Sequence, residues 1–116
     1  MTTLRLTAAQ AMVKWLSVQM TEEGERFIEG IWAIFGHGNV AGIGEALYHA
    51  KETFPTWRGH NEQTMAHAAI AYAKTHKRRR AMAVTSSIGP GATNMVTGIN
   101  ASASAATVTA SSRSQP

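Results

Sequence analysis

One carboxylate in the chain, that of Glu62, stands where it can be aimed into a cavity. The residue before it, Asn61, favours the N-cap position of a helix, so Glu62 falls in the first helical turn. The positive end of the helix dipole favours an anion at that position. The stretch 64–74 is apolar on most of its faces, which is typical of a buried helix. A charge at the N-terminus of a buried helix needs a hydrogen-bond or ion-pair partner.

Two glycine-containing segments are expected to lie near this carboxylate. The first, 36–39, ends a buried strand, and Asn39 is then predicted to cap a helix over 40–50. The second, 86–94, is a glycine-proline turn that opens another helix. Glycines let a backbone approach a ligand where side chains would obstruct it.

The elements that must position these segments alternate between strands and helices. Residues 7–10 form a capping box that begins a first amphipathic helix, which we expect to end near Thr21. Predicted strands cover 27–35, 56–58 and 80–85. Such alternation predicts an α/β fold: a parallel sheet with flanking helices and a ligand site at the carboxyl ends of the strands.

Composition limits the classes of function. The chain has 116 residues, which suits one domain, and it has no cysteine, which excludes disulfides and thiolate metal sites. The formal net charge is +4, but much of the excess lies in the block 77–80. We interpret that block as a solvent-exposed segment that leads into the predicted strand 80–85, and we expect no nucleic-acid partner. No apolar run reaches the roughly 18 residues of a membrane span, so we predict an unprocessed cytoplasmic protein without membrane contact.

Histidine and core residues are given ordinary roles. The five histidines lack metal-binding spacing, so we predict no protein-held metal and place His60 and His67 on the surface or in packing contacts. Trp32, Met65 and Tyr72 are expected in the core.

Three segments in combination resemble a known family. Residues 34–39, 58–63 and 85–94 are similar, in order and spacing, to the pyrimidine-binding domain of thiamin diphosphate enzymes related to acetolactate synthase. The resemblance covers about residues 3–98. It is strongest to the branch that hydrolyses a cyclic 1,2-dione in myo-inositol catabolism, and the extra residue in the turn 86–89 points to the same branch.

The resemblance implies roles for individual residues. Glu62 would be catalytic and would hydrogen-bond the ring nitrogen of the cofactor's aminopyrimidine, which helps the cofactor to lose the proton from its thiazolium carbon. Gly36 and His37 would lie beside thiamin diphosphate, and His37 is also a candidate substrate contact. Pro90 and Asn94 would border the pyrimidine pocket.

The resemblance also implies partners. Members are homo-oligomers that act on a small molecule, here a cyclic dione, and hold magnesium and the diphosphate in a second domain, supplied by a partner subunit. That domain carries a Gly-Asp-Gly motif, which does not occur in this chain. We therefore expect the chain to be a fragment that is inactive by itself.

The end of the chain departs from the family pattern. Residues 1–98 are interpreted as a partial pyrimidine-binding domain, whereas 99–116 are rich in alanine, serine and threonine and are expected to be disordered. Our hypothesis is a truncated or frameshifted gene product whose last family-like residue is near Gly98.

Other classes of function remain open from sequence alone. Residues 36–41 satisfy the relaxed dinucleotide fingerprint G-x-G-x-x-A, but the second strand ends at Arg58 rather than at an acidic residue, which at best suits a 2′-phosphate. Chemistry like that of acetolactate synthase is a second alternative. A noncatalytic chain that binds a partner through its sheet edge is the third.

Overall fold

The computed structural model describes residues 3–101, which form helices and strands in the order that the sequence predicts. The elements are α1 (Ala8–Ser17), β1 (Ile28–Ala33), α2 (Gly36–Asn39), a π-helical turn (Val40–Gly44), α3 (Glu45–His49), β2 (Thr56–Arg58), α4 (Glu62–Thr75), β3 (Ala81–Thr85) and α5 (Pro90–Ala101).

The three strands make one parallel sheet in the order β2-β1-β3. At the carboxyl edge, Ala33 of β1 is in register with Arg58 of β2 and with Thr85 of β3. The segments that follow the three strands therefore leave the sheet at the same edge. The predicted α/β fold with a parallel sheet is confirmed.

The core lies between β1 and the helices that precede and follow it. Ile31 of β1 packs with Val13 of α1, Leu47 of α3 and Phe54, which is fully buried. Burial of an aliphatic or aromatic side chain of this kind stabilises a fold by about 1.5–3 kcal/mol. This cluster fixes β1, and with it the start of the 36–39 segment.

Helix α1 begins as predicted and ends earlier. The Thr7 hydroxyl accepts a hydrogen bond from the Gln10 backbone at 3.2 Å, and the Gln10 side chain accepts one from the Thr7 backbone at 2.9 Å, so the capping box is confirmed. The predicted end near Thr21 is wrong. Helix α1 ends at Ser17, because the chain then folds back and Met20 pairs with Arg26 in an antiparallel bridge. In the turn between them the Thr21 N–H donates to the Glu25 carbonyl at 2.7 Å, and Gly24 has φ +82°.

The predicted core residues differ in burial. Met65 is 2% exposed, as expected, whereas Tyr72 and Trp32 are only half-buried. Trp32 packs against Trp57 with ring centroids 6.0 Å apart. Burial raises the pKa of Tyr72, and the nearby Glu29 carboxylate raises it further.

Most of the basic block is solvated, as expected, since residues 77–79 are exposed. Arg80 is the exception, because it pairs with Glu29 at 2.9 Å and Glu25 at 3.8 Å. Within residues 3–101, none of the helices has the length and apolar character needed to cross a bilayer.

Candidate functional site

Glu62 lies at the first position of α4 and is 8% exposed. Asn61 is the N-cap, and its Oδ1 accepts a hydrogen bond from the Thr64 backbone N–H at 3.0 Å. The predicted cap and the first-turn position of the carboxylate are both confirmed. The helix end favours the negative charge and fixes the direction in which the side chain leaves the backbone.

The partner of this carboxylate is a hydroxyl group. Ser87 Oγ donates a hydrogen bond of 2.9 Å to Glu62 Oε1. Within residues 3–101, Glu62 forms no ion pair, and Oε2 receives no hydrogen bond from the protein. A carboxylate has about four acceptor positions on its two oxygens, so this one retains the capacity to bind a donor from a ligand. A ring nitrogen that carries or shares a proton is a donor of that kind.

Two glycines make room around the Ser87–Glu62 contact. Gly91, in the first turn of α5, has no space for a Cβ, which would overlap Ser87 Oγ and Glu62 Oε1. Gly36 has φ +66°, and a Cβ there would lie 2.9 Å from Ser87 Cβ. The 36–39 and 86–91 segments therefore meet at the carboxylate, as the parallel topology predicts.

The 36–39 segment differs from its prediction, which placed the start of the helix after Asn39. It is helical rather than a loop, since α2 begins at Gly36 and continues through the π-helical turn into α3. Asn39 therefore does not cap a helix that starts at Val40, and it makes no side-chain capping bond. Its Nδ2 instead donates to the Ser86 carbonyl at 3.1 Å, which ties the helix to the loop after β3.

The other predicted site residues are distributed around Glu62. Asn94 Nδ2 donates to Asn61 Oδ1 at 3.2 Å and so joins α5 to the cap of α4. Pro90 is exposed at the first position of α5. His37 is exposed in α2, and no hydrogen bond among the described residues links it to Glu62.

Sequence reasoning did not single out Ser87 or Gly91. Both belong to the glycine-proline turn, but a turn motif does not state which side chain points toward a distant helix. The available signal was the position of the turn directly after a strand, at the predicted ligand edge. His60 and His67 are exposed, in agreement with the surface role expected for them.

The described residues contain no group of three or more histidine, aspartate or glutamate side chains that could hold a metal ion. A metal that this site uses would need ligands from elsewhere. The groups that the described residues bring together here are the Glu62 carboxylate, the Ser87 hydroxyl that donates to one of its oxygens, and the backbone of Gly36 and Gly91.

The fold and site define a ligand-binding α/β domain that offers a buried carboxylate at the carboxyl edge of a parallel sheet. Residues 7–110 match the family described as thiamine pyrophosphate enzyme, N-terminal TPP binding domain. Thiamine pyrophosphate is thiamin diphosphate, and the chain belongs to this family.

Named relatives share about half of their residues with the chain. A 3D-(3,5/4)-trihydroxycyclohexane-1,2-dione hydrolase of Geobacillus thermodenitrificans is 53% identical over 113 residues, which is 95% of this chain and 17% of the relative. Proteins with the same name from Clostridium tetani and Listeria monocytogenes are 52% and 53% identical and are matched over 84% and 82% of this chain, or 16% and 15% of their own lengths. No solved structure gives a significant match.

The family match favours the thiamin interpretation of the 36–41 segment over the dinucleotide one. It extends to residue 110, whereas α5 ends at Ala101 and the rest of the expected tail, 102–116, lies outside the described residues. The division of the chain at Gly98 stays a prediction.

Proposed function

We propose that this chain is the pyrimidine-binding part of a thiamin diphosphate-dependent hydrolase that cleaves a carbon–carbon bond in a cyclic 1,2-dione. The observation that carries the proposal is the carboxylate of Glu62, which is buried at the start of α4 and has one oxygen without a hydrogen-bond donor among residues 3–101. The names of the relatives support the reaction, because the three described above are trihydroxycyclohexanedione hydrolases.

The residues of the site fit the pyrimidine half of the cofactor. Glu62 Oε2 accepts or shares a proton at a ring nitrogen, while Oε1 stays with Ser87. Gly36 and Gly91 let Ser87 and Glu62 come together at this edge of the sheet, because a Cβ on either glycine would collide with one of these two side chains. Thiamin diphosphate, when bound, supplies a carbon nucleophile and an electron sink for cleavage next to a carbonyl.

Three further residues complete the proposed pocket. Pro90 and Asn94 border the pyrimidine from α5, and Asn94 also steadies the cap of α4 through Asn61. His37 is exposed on α2, where it is accessible to the cofactor or the substrate.

The rest of the active site lies outside the described residues. We propose that magnesium and the diphosphate are held by another domain, that this domain comes from a partner subunit of a homo-oligomer, and that the 116-residue chain alone is inactive. The share of the relatives that the chain spans, 17% or less for those compared, supports this division. The role in myo-inositol catabolism and the cytoplasmic location stay predictions.

The experiment uses a chimera in which this chain replaces the matching segment of the Geobacillus thermodenitrificans relative. We expect the Glu62→Gln variant to hydrolyse the cyclic dione with a kcat/KM lower by about 10²-fold or more, which is the usual contribution of a positioned proton-transfer group. Glu52→Gln is the matched control, since it makes the same change at an exposed glutamate.

Hydrolysis rates and thiamin diphosphate affinity are measured together for the three proteins. A chimera that folds but does not bind the cofactor would contradict the proposed cofactor. Turnover by Glu62→Gln equal to that of the unsubstituted chimera would contradict the role of the carboxylate.

A further inference from the structure

Ser87 is the one described side chain that hydrogen-bonds the carboxylate of Glu62. The two residues are 25 positions apart and belong to different segments, so the contact is tertiary. We infer that Ser87 is a positioning residue, whose hydroxyl holds Oε1 of Glu62 so that Oε2 is presented to the pyrimidine ring. This inference rests on the proposed function and adds a residue that selects the orientation of its acidic group.

A carboxylate alone does not have a unique orientation. Its two oxygens are equivalent, and rotation about the last side-chain bond is only weakly restricted. A donor on one oxygen removes that equivalence, and a hydrogen bond to a charged acceptor is about twice as strong as a neutral one. The 2.9 Å contact from Ser87 Oγ to Oε1 therefore leaves Oε2 as the oxygen for a ligand.

Ser87 is itself held on two sides. Its Cβ lies 2.9 Å from the position that a Cβ on Gly36 would take, and its Oγ lies against the position that a Cβ on Gly91 would take. The carbonyl of the preceding residue, Ser86, accepts a hydrogen bond of 3.1 Å from Asn39. The backbone that precedes Ser87 is thereby held by α2, so the position of the hydroxyl does not depend on a ligand.

The loop between β3 and α5 brings a serine to this place. Ser87 lies in that loop, since β3 ends at Thr85 and α5 begins at Pro90. Gly89 has φ +68°, a conformation that L side chains rarely adopt, and it returns the chain to the start of α5. The loop thereby places a hydroxyl next to the carboxylate of Glu62.

The test measures thiamin diphosphate binding by titration calorimetry in the chimera described above, with magnesium present. We expect Ser87→Ala to weaken binding about tenfold, the size expected for loss of one hydrogen bond to a charged group. The Ser87→Cys variant keeps a weak donor, so its affinity for thiamin diphosphate should lie between those of Ser87→Ala and the unsubstituted chimera. Ser17→Ala, which removes a hydroxyl bonded to the Lys14 carbonyl in α1, should bind like the unsubstituted protein.

The same Ser87→Ala change is then made in a Glu62→Ala background. A residue that acts only through Glu62 has no further effect there, whereas a residue that merely supports the fold weakens binding by the same factor in both backgrounds. Thermal unfolding of each variant is recorded alongside.

Each outcome decides the matter. An effect of Ser87→Ala that vanishes in the Glu62→Ala background supports the inference. Unchanged binding by Ser87→Ala, or an equal loss in both backgrounds, overturns it while the proposed function stands. A folded, unsubstituted chimera that does not bind thiamin diphosphate overturns the proposed function and this inference together.

Discussion

Glu62 owes its position to two local signals and one distant contact. Asn61 and the apolar run after it predict the helix start, and the structure confirms the cap with the 3.0 Å bond to Thr64. The hydrogen bond from Ser87 was not predictable in the same way, because it joins the first residue of α4 to a loop 25 positions further along the chain. Local sequence specifies where a helix begins, whereas the partner of a buried charge depends on the tertiary arrangement.

Gly91 gives a prediction at the scale of a single residue. In the Gly91→Ala variant, the new methyl group meets Ser87 Oγ and Glu62 Oε1, so the carboxylate has to move. We expect thiamin diphosphate affinity in the chimera to fall at least tenfold, and the free energy of unfolding to fall by about 1–3 kcal/mol, as is usual for overpacking. Calorimetry and urea denaturation measure the two quantities.

The matched control for this substitution is Gly38→Ala. Gly38 is also helical, but a Cβ there has no heavy atom within 4 Å. That variant should bind the cofactor normally. Normal binding by Gly91→Ala would show that the space beside Glu62 is not constrained as the structure describes.

At the scale of secondary structure, β2 and the starts of α1 and α4 were predicted correctly, whereas the start of the helix after β1 was not. The short strand β2, Thr56–Arg58, was predicted at its observed bounds because Pro55 and Gly59 stand at its two ends. The helix after β1 was predicted from Asn39, a good cap by type, yet it starts at Gly36. The Asn39 side chain bonds the Ser86 carbonyl instead, so a tertiary contact overrides a local preference.

The cap of α4 gives a prediction at this scale. Asn61→Ala removes the acceptor for the Thr64 N–H and for Asn94 Nδ2. We expect the free energy of unfolding of the 116-residue chain to fall by about 1 kcal/mol, within the 0.5–2 kcal/mol range of cap deletions. Urea denaturation of both proteins provides the measurement.

Asn61→Ser separates capping from the link to α5. Serine is a good N-cap residue and should restore most of the stability that alanine loses. An Asn61→Ala protein as stable as the unsubstituted chain would mean that the 3.0 Å contact to Thr64 contributes nothing.

At the scale of the whole molecule, the alternation of strands and helices was enough to predict a parallel sheet and the edge that carries the site. It did not predict the order β2-β1-β3, because a strand's own sequence does not state which strands lie beside it. β2 and β3 are the edge strands of the described sheet, and the chain spans 17% of its Geobacillus thermodenitrificans relative. We therefore propose that this chain contributes to cofactor activation and that the remaining chemistry belongs to a larger assembly.

The most direct measurement is a crystal structure of the chimera with thiamin diphosphate bound. We predict that one carboxylate oxygen of Glu62 lies at hydrogen-bond distance, about 2.6–3.2 Å, from a ring nitrogen of the pyrimidine, while the other keeps its contact with Ser87. A bound cofactor whose ring nitrogens are all out of reach of that carboxylate would contradict the central claim.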